Sequence, residues 1–190
     1  MLPLWRVTRN RFGKRLHARL DDAGVTVSRL DEYRAPVPAG YEASSPDGAS
    51  IRPADPAAVP ESVPTDELVD GETALVAADG GVVGYLFVSV DATVPVPELG
   101  TELAFDGGYV RRLYVDPDHR RRGIATGLVD AAKAHAADRG ADDAAALVAV
   151  DNRPSQWTFE AQGFRRVARH AYDRLWGLER RRRRPLPDGN

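Results

Sequence analysis

The residues whose types and spacing best suit chemistry lie between Val110 and Ala125. This run predicts a strand that stops at Asp116-Pro117, then an arginine-rich turn, and then a helix that begins after Gly123. Unpaired backbone N–H groups and the helix dipole make such a helix N-terminus a binding site for anions. The turn has neither the Gly-Lys-Ser/Thr of a Walker loop nor the three glycines of a dinucleotide-binding fingerprint. We therefore expect a phosphate-bearing ligand; the alternative is a solvated basic turn before an ordinary helix.

The spacing Arg120-x-x-Gly123-x-Ala125 suits a pyrophosphate in particular. Gly123 lets the backbone approach a phosphate closely, and small Ala125 avoids crowding it. The amides from Arg121 to Thr126 can then wrap the ligand. The three arginines at positions 120–122 add positive charge, and their hydrogen bonds to a phosphate would be charge-assisted.

A second segment, from Asp151 to Phe164, carries the pattern N-x-x-S/A-x-x-x-aromatic-x-x-x-G-F. In this order and at this separation, the two segments resemble the GCN5-related N-acetyltransferase family. The resemblance is strong from Val110 to Phe164 and weaker over about residues 40–178. It does not obviously cover residues 1–39.

The resemblance implies that acetyl-coenzyme A lies in a V-shaped cleft where the strand at Val110–Val115 splays from the strand at Ala145–Val150. Its pyrophosphate would lie on the turn, and its pantetheine arm would bond the backbone of Leu113–Val115, which would also polarise the thioester carbonyl. A deprotonated amine would attack the thioester directly, with no covalent enzyme intermediate. The cofactor-binding residues implied are Leu113, Tyr114, Val115, Arg120, Arg121, Arg122, Gly123, Ile124, Ala125, Thr126, Asn152, Ser155 and Phe159.

Phe159 is a departure from the family pattern, because many members carry a tyrosine there that protonates the leaving thiolate. A phenylalanine cannot donate a proton, although thiols titrate at roughly 8.5 and leave tolerably near neutral pH. Either Phe159 packs against the cofactor and another group acts, or the protein binds acyl-coenzyme A with little or no turnover. The candidate catalytic residues are Tyr114, Asp151 and Tyr172. The candidate bases are Asp151, Glu102, Asp106 and His119.

The elements that must position these residues predict an α/β fold with a mixed, largely antiparallel central sheet flanked by helices. The expected strands are Val25–Leu30, Thr73–Ala78, Val82–Val90, Val110–Val115, Ala145–Val150 and two runs between Phe164 and Leu178 with a turn near His170. The expected helices are residues 4–23, Ile124–Arg139 and Ser155–Gln162. Residues 91–108, which are acidic and rich in proline, are expected to form a long loop.

Three regions are expected along the chain. Residues 1–39 form a basic helix-strand extension that could cover the groove, extend the sheet or build a homodimer. Residues 40–179 form the acetyltransferase-like domain, and residues 180–190 form an arginine-rich, disordered tail. A solvated tail is favoured over contact between Arg180–Arg184 and nucleic acid.

Composition narrows the class of protein. The chain has no cysteine, and its four histidines have no metal-ligand spacing, so no metal site is expected. No apolar run is long enough to span a membrane, and the N-terminus lacks the pattern of a secretion signal, so a cytoplasmic location is expected. Residues 40–109 carry a net charge of about −12. This block indicates either an acidic groove for a cationic amine acceptor or a salt-adapted surface.

Overall fold

The structure is a computed structural model that describes residues 25–44, 48–55 and 58–187. In chain order its elements are β1 (Val25–Pro36), β2 (Ser50–Pro53), β3 (Thr73–Ala78), β4 (Val82–Val96), β5 (Thr101–Val115), α1 (Ile124–Ala137), β6 (Asp143–Ala149), α2 (Arg153–Ala161), β7 (Arg165–Leu175) and β8 (Leu178–Pro185). Short 3-10 helices lie at Thr65–Glu67, Pro97–Leu99 and Pro117–His119.

The strands form one open sheet in the order β2-β3-β4-β5-β6-β1-β7-β8. Neighbouring strands are antiparallel except for β5 and β6, which are parallel. A parallel pair needs a crossover that returns the chain to the same end of the sheet, and α1 provides it. The predicted α/β class with a mixed, largely antiparallel sheet is therefore confirmed.

Helix α1 packs one apolar stripe against a face of the sheet. Ile124, Leu128, Ala132 and Ala136 recur every four residues, and each is buried. This spacing places them on one side of a helix, as the sequence predicts. Together with residues of α2 and of the sheet, the stripe forms the main core, which closes this face completely over Val110 and Ala146.

The opposite face is covered by the far half of the β4–β5 hairpin, from Asp91 to Gly107. The predicted loop over residues 91–108 is therefore wrong, because both strands continue and Val94, Leu99 and Phe105 pack as a second core. The hairpin bends at Gly107, which has φ +84° and donates a backbone hydrogen bond of 2.7 Å to the Asp91 carboxylate. Pro95 is tolerated because the pairing of β3 with β4 stops at Thr73 and Val88, so β3 does not pair with β4 beyond Val88.

Strand β1 lies inside the sheet, between β6 and β7. It pairs with β6 from Leu30 to Pro36 and with β7 from Val25 to Arg34. Of the three roles left open for residues 1–39, β1 therefore favours extension of the sheet, because this strand belongs to the same sheet as residues 40–179. The predicted strand is confirmed and extended to Pro36, whereas the helix expected over residues 4–23 lies outside the described residues.

The C-terminal hairpin corrects two further expectations. Strand β7 is continuous through His170, and the turn falls at Trp176-Gly177 instead. Residues 180–185, expected to be a disordered tail, pair with β7 as β8. Their arginines are held by partners the sequence does not reveal: Arg183 by Glu32 at 3.0 Å, and Arg181 by the Leu99 carbonyl at 2.9 Å.

Candidate functional site

The sheet splits between β5 and β6. The two strands pair only through Gly108–Val110 and Ala144–Ala146, and beyond that they separate. Strand β4 takes the other edge of β5, and β1 takes the other edge of β6. The edge of residues 111–115 that faces away from β4 therefore pairs with no described strand and lines an open cleft. Leu113, Tyr114 and Val115 lie in this segment, as predicted.

A bulge shapes the cleft edge of β5. Pairing with β4 shifts register between Tyr85 and Phe87, and the residue opposite, Arg112, has φ +58°. Few residues other than glycine adopt this conformation, so it costs free energy that the surrounding structure must offset. The bulge turns the strand at the point where it parts from β6.

The arginine-rich turn lies where the chain passes from the end of β5 into α1. Gly123 precedes the helix with φ +75°, and Thr126 donates a hydrogen bond of 2.6 Å from its hydroxyl to the Gly123 carbonyl. The first N–H groups of α1 have no helical acceptors, so they remain available to a ligand. A Cβ added at Gly123 would meet only the Thr126 hydroxyl, at 3.8 Å, so the space before the turn is open. Ile124 is buried, whereas Ala125 and Thr126 are partly exposed.

The three arginines of the turn differ in what holds them. Arg120 donates from Nε to the Val115 carbonyl at 3.1 Å, which ties the turn to the end of β5. Arg122 forms an ion pair of 2.9 Å with Asp79 in the β3–β4 turn. Arg121 is exposed and forms no ion pair with any described residue. It is therefore the arginine most available to an incoming anion.

The opposite wall of the cleft ends at the N-terminus of α2. Asn152 caps this helix, and its side-chain nitrogen donates to the Ser155 hydroxyl at 2.8 Å. Sequence reasoning missed Gln156, a buried residue whose amide donates to the Ala149 and Val150 carbonyls at 3.2 and 3.0 Å. Gln156 thereby fixes Asn152 to the end of β6. Its helical spacing from Phe159, three residues later, is the signal that could have revealed a buried position.

Phe159 lies in the main core. Its ring is 3% exposed and meets Phe164 edge to face, with centroids 5.1 Å apart. The structure thus describes Phe159 as a core residue, and the expected packing against the cofactor stays a prediction.

The candidate catalytic residues are not brought together. Tyr114 is 42% exposed and stacks on Tyr85 with centroids 5.4 Å apart, beside the open end of the cleft. Tyr172 is buried on β7, beneath the guanidinium of Arg181, with β6 and β1 between it and β5. Its catalytic role stays a prediction. Asp151 lies half-buried at the end of β6, beside the cleft mouth.

The other candidate bases lie apart as well. Glu102 and Asp106 are exposed on the far half of the β4–β5 hairpin. His119 lies 3.4 Å from the Asp116 carboxylate. A backbone hydrogen bond from Asp118, aided by His119, lowers the pKa of Asp116. Asp116 therefore serves as the cap of the short 3-10 helix at Pro117–His119.

A buried ion pair beside the cleft was missed from the sequence. Arg111 donates to both carboxylate oxygens of Glu72, at 2.7 and 2.5 Å, and to the Glu67 carbonyl at 2.7 Å. The Glu72 side chain is fully buried, and the guanidinium also lies over the ring of Phe87. The pair fastens the 65–72 segment to β5 one residue before the bulge. Nothing in the spacing of these residues indicates the contact.

Tyr109 lies at the closed end of the cleft, buried in the second core. It pairs with Ala145 of β6, and its ring stacks on Phe105 at 3.9 Å. Sequence reasoning missed it because the expected strand begins one residue later.

Neither helix of the described residues has the length and hydropathy to cross a membrane. Across the same part of the chain, no three His, Cys, Asp or Glu side chains are arranged to hold a metal ion.

A split parallel pair with a helix N-terminus at its mouth is the arrangement that the resemblance to the GCN5-related N-acetyltransferase family implies. The model of the acetyltransferase (GNAT) family matches residues 41–164, and the chain belongs to this family.

Individual relatives agree with that assignment. An aminoglycoside N(6′)-acetyltransferase type 1 from Acinetobacter genomosp. 13 is 41% identical over 64 residues, which are 34% of this chain and 44% of that protein. The match thus spans less than half of the relative's length.

Two solved structures share the fold. A GCN5-related N-acetyltransferase from Kribbella flavida superimposes with a TM-score of 0.54 at 17% identity, over 86% of this chain and 64% of that one. A GCN5-related glucosamine N-acetyltransferase region of a fungal multi-domain β-N-acetylglucosaminidase gives 0.55 at 13% identity, over 88% and 23%.

Proposed function

We propose that this protein transfers an acetyl group from acetyl-coenzyme A to a primary amine of a small molecule, peptide or protein. One observation carries the proposal: β5 parts from β6 after Val110, and the opened edge leads to the exposed N-terminus of α1. An elongated ligand with a pyrophosphate at one end fits this combination of a free strand edge and an anion site.

Each side of the cleft would hold part of the donor. The amides from Arg121 to Thr126 would bind the pyrophosphate, with Arg120–Arg122 adding positive charge. The backbone of Leu113–Val115 would bond the pantetheine arm as a neighbouring strand does. Asn152 and Ser155 would bond it from the other wall. Gly123 supports this assignment, because its exposed position leaves room for a phosphate against the backbone.

The chemistry follows from proximity and polarisation. The bound amine attacks the thioester carbonyl carbon, the C–S bond breaks, and coenzyme A leaves as the thiol or thiolate. Backbone N–H groups of Leu113–Val115 would stabilise the negative charge that develops on the carbonyl oxygen. No side chain of this chain forms a covalent intermediate in this route.

The acceptor is an amine-bearing molecule, and we propose that it is cationic. Residues 40–109 supply both the 65–72 segment and the hairpin that face the open side of the cleft, and they carry about −12. Glu72 is neutralised by Arg111, but Asp66, Asp70 and Glu98 remain exposed there. The relative from Acinetobacter bears the name of an aminoglycoside acetyltransferase, which is consistent with a polycationic acceptor.

A second candidate function is a coenzyme A-binding sensor with weak or no turnover. Phe159 favours it, because the position that offers a tyrosine hydroxyl in many relatives is here a buried ring in the core. Cytoplasmic location, homodimer formation and the absence of a nucleic-acid partner remain predictions from the sequence.

A thiol-release assay separates the two candidates. Purified protein with acetyl-coenzyme A is offered a panel of aminoglycosides, polyamines, amino acids and peptides, and free thiol is measured over time. Amine-dependent release for at least one member supports the enzyme. Saturable binding of acetyl-coenzyme A without release for any amine supports the sensor and contradicts the enzyme.

A further inference from the structure

The free edge of β5 is accessible from one side of the sheet. Leu113 and Val115 pack against the main core beneath α1. Arg112 and Tyr114 alternate with them, and 51% of the Arg112 side chain and 42% of Tyr114 are exposed. Alternate residues of a strand point to opposite faces. A molecule from solvent therefore reaches this edge on the side where Arg112 and Tyr114 lie.

The Glu67 carboxylate lies on this accessible side. It forms an ion pair with Arg112, and 37% of the Glu67 side chain is exposed. The backbone of Glu67 is fixed independently, because its carbonyl accepts a hydrogen bond of 2.7 Å from Arg111. Arg111 is held in turn by the buried carboxylate of Glu72. The position of Glu67 beside the cleft therefore does not depend on its pair with Arg112.

The two ion pairs of this region differ in how readily they can exchange partners. The side chains of Arg111 and Glu72 are 16% and 0% exposed, so separating them would leave buried charges without partners. The pair between Arg112 and Glu67 is half-exposed, and water screens both charges, so it adds little stability. Glu67 can therefore leave Arg112 for another cation while the Arg112 side chain turns to solvent.

We propose that Glu67 binds a second, non-reacting ammonium group of the acceptor and that the Arg112 guanidinium occupies this position in its absence. The inference rests on the proposed function, in which a pyrophosphate on the α1 turn and an arm along Leu113–Val115 bring the acyl end to the bulge at Arg112. A diamine held by Glu67 at one end then presents its other, deprotonated amine to the thioester. That nitrogen forms the C–N bond and loses a proton to solvent, and the sulfur leaves with the electron pair of the C–S bond. Glu67 exchanges no atom with the substrate, and it makes diamines and polyamines the preferred acceptors.

The test is steady-state kinetics with putrescine and with butylamine, which has the same carbon chain and one amino group fewer. Wild type should have a kcat/KM at least tenfold higher for putrescine. Glu67→Gln should raise KM for putrescine roughly tenfold, as for the loss of one charge-assisted hydrogen bond, with KM for butylamine and for acetyl-coenzyme A unchanged. Arg112→Gln should lower KM for putrescine roughly threefold, because the resident competitor for Glu67 is gone.

The matched control is Glu179→Gln, which breaks a pair of similar exposure with Arg181 on β8, at 2.7 Å. It should change none of these constants. All three variants alter half-exposed pairs, so their thermal unfolding midpoints should stay within about 3 °C of wild type.

Four outcomes would overturn the inference. An unchanged KM for putrescine in Glu67→Gln refutes the role of Glu67. A rise in KM for putrescine in both Glu67→Gln and Arg112→Gln would show that the pair acts through structure, because only competition for Glu67 predicts opposite signs. Active wild type that does not prefer putrescine to butylamine refutes the second ammonium site and leaves the proposed function standing. Wild type that binds acetyl-coenzyme A but releases no thiol with any amine refutes the proposed function, and this inference with it.

Discussion

The buried pair between Arg111 and Glu72 gives the sharpest stability prediction. Glu72→Gln keeps the shape of the side chain and removes its charge, which leaves Arg111, whose side chain is only 16% exposed, without a counter-charge. Removing one partner of a buried ion pair typically costs 3–5 kcal/mol. Arg111 keeps its hydrogen bond to the Glu67 carbonyl, so we expect a loss near the lower end, about 3 kcal/mol.

The assay is urea unfolding followed by tryptophan fluorescence, with the free energy of unfolding extrapolated to water. The double variant Glu72→Leu/Arg111→Met contains no uncompensated charge, and it should recover at least half of the lost stability. The control is Asp79→Asn, which breaks the half-exposed pair with Arg122 and should cost less than about 1 kcal/mol.

Two results would refute this reasoning. Glu72→Gln that unfolds within about 0.5 kcal/mol of wild type would mean that water or another group compensates Arg111. A double variant less stable than Glu72→Gln would mean that packing around the pair, rather than the lone charge, sets the cost.

Two other substitutions test the core. Phe159→Tyr places a hydroxyl in the main core beside Phe164. The variant should therefore have a free energy of unfolding lower by roughly 1–3 kcal/mol and should not turn over faster. A variant that is faster than wild type and equally stable would contradict the packing role of Phe159. Burial raises the pKa of Glu32, but hydrogen bonds from His170, Arg34 and Arg183 outweigh it and lower the pKa from 4.5 to about 2. Its stabilisation is therefore complete above pH 4.5 and is lost as pH falls toward 2. Wild type should lose about 3 kcal/mol more than Glu32→Gln across this range in acid unfolding, and equal losses would show that Glu32 is not selectively stabilised as the anion.

The sequence predicted the elements whose side chains alternate or recur with a clear period. The apolar stripe of α1 and the hairpin around Asp79-Gly80-Gly81 are examples, and both lie next to the cleft. These patterns report local burial, which a strand or helix carries in its own residues.

The predictions that were wrong concern segments whose structure depends on contacts with residues far away in the chain. Residues 91–107 look like a loop because of their prolines and acids, yet they form a hairpin that covers Tyr109 and Tyr172. The run Arg180–Arg184 looks like a disordered tail, yet Glu32 lies 151 residues away and binds Arg183. The stretch has no apolar period to reveal its strand, and the acids that pair with Arg182 and Arg183 lie on other strands.

The site follows the same division. The turn before α1 was predicted, because a glycine with positive φ and the free N–H groups of a helix N-terminus are local features of the chain. Asn152 was singled out through the family resemblance, and its role as the cap of α2 came only from the structure. Gln156, Arg111 and Tyr109 were missed, because each acts through partners on another element.

The central claim is that the turn before α1 binds the pyrophosphate of acetyl-coenzyme A. Calorimetric titration of wild type, Gly123→Trp and Gly140→Trp with acetyl-coenzyme A tests it most directly. Both glycines are exposed and have positive φ, of 75° and 84°, at opposite ends of α1, so the two substitutions should strain the backbone alike. We predict that wild type and Gly140→Trp bind saturably and that Gly123→Trp, still folded, does not. Equal affinity in all three proteins would contradict the placement of the pyrophosphate.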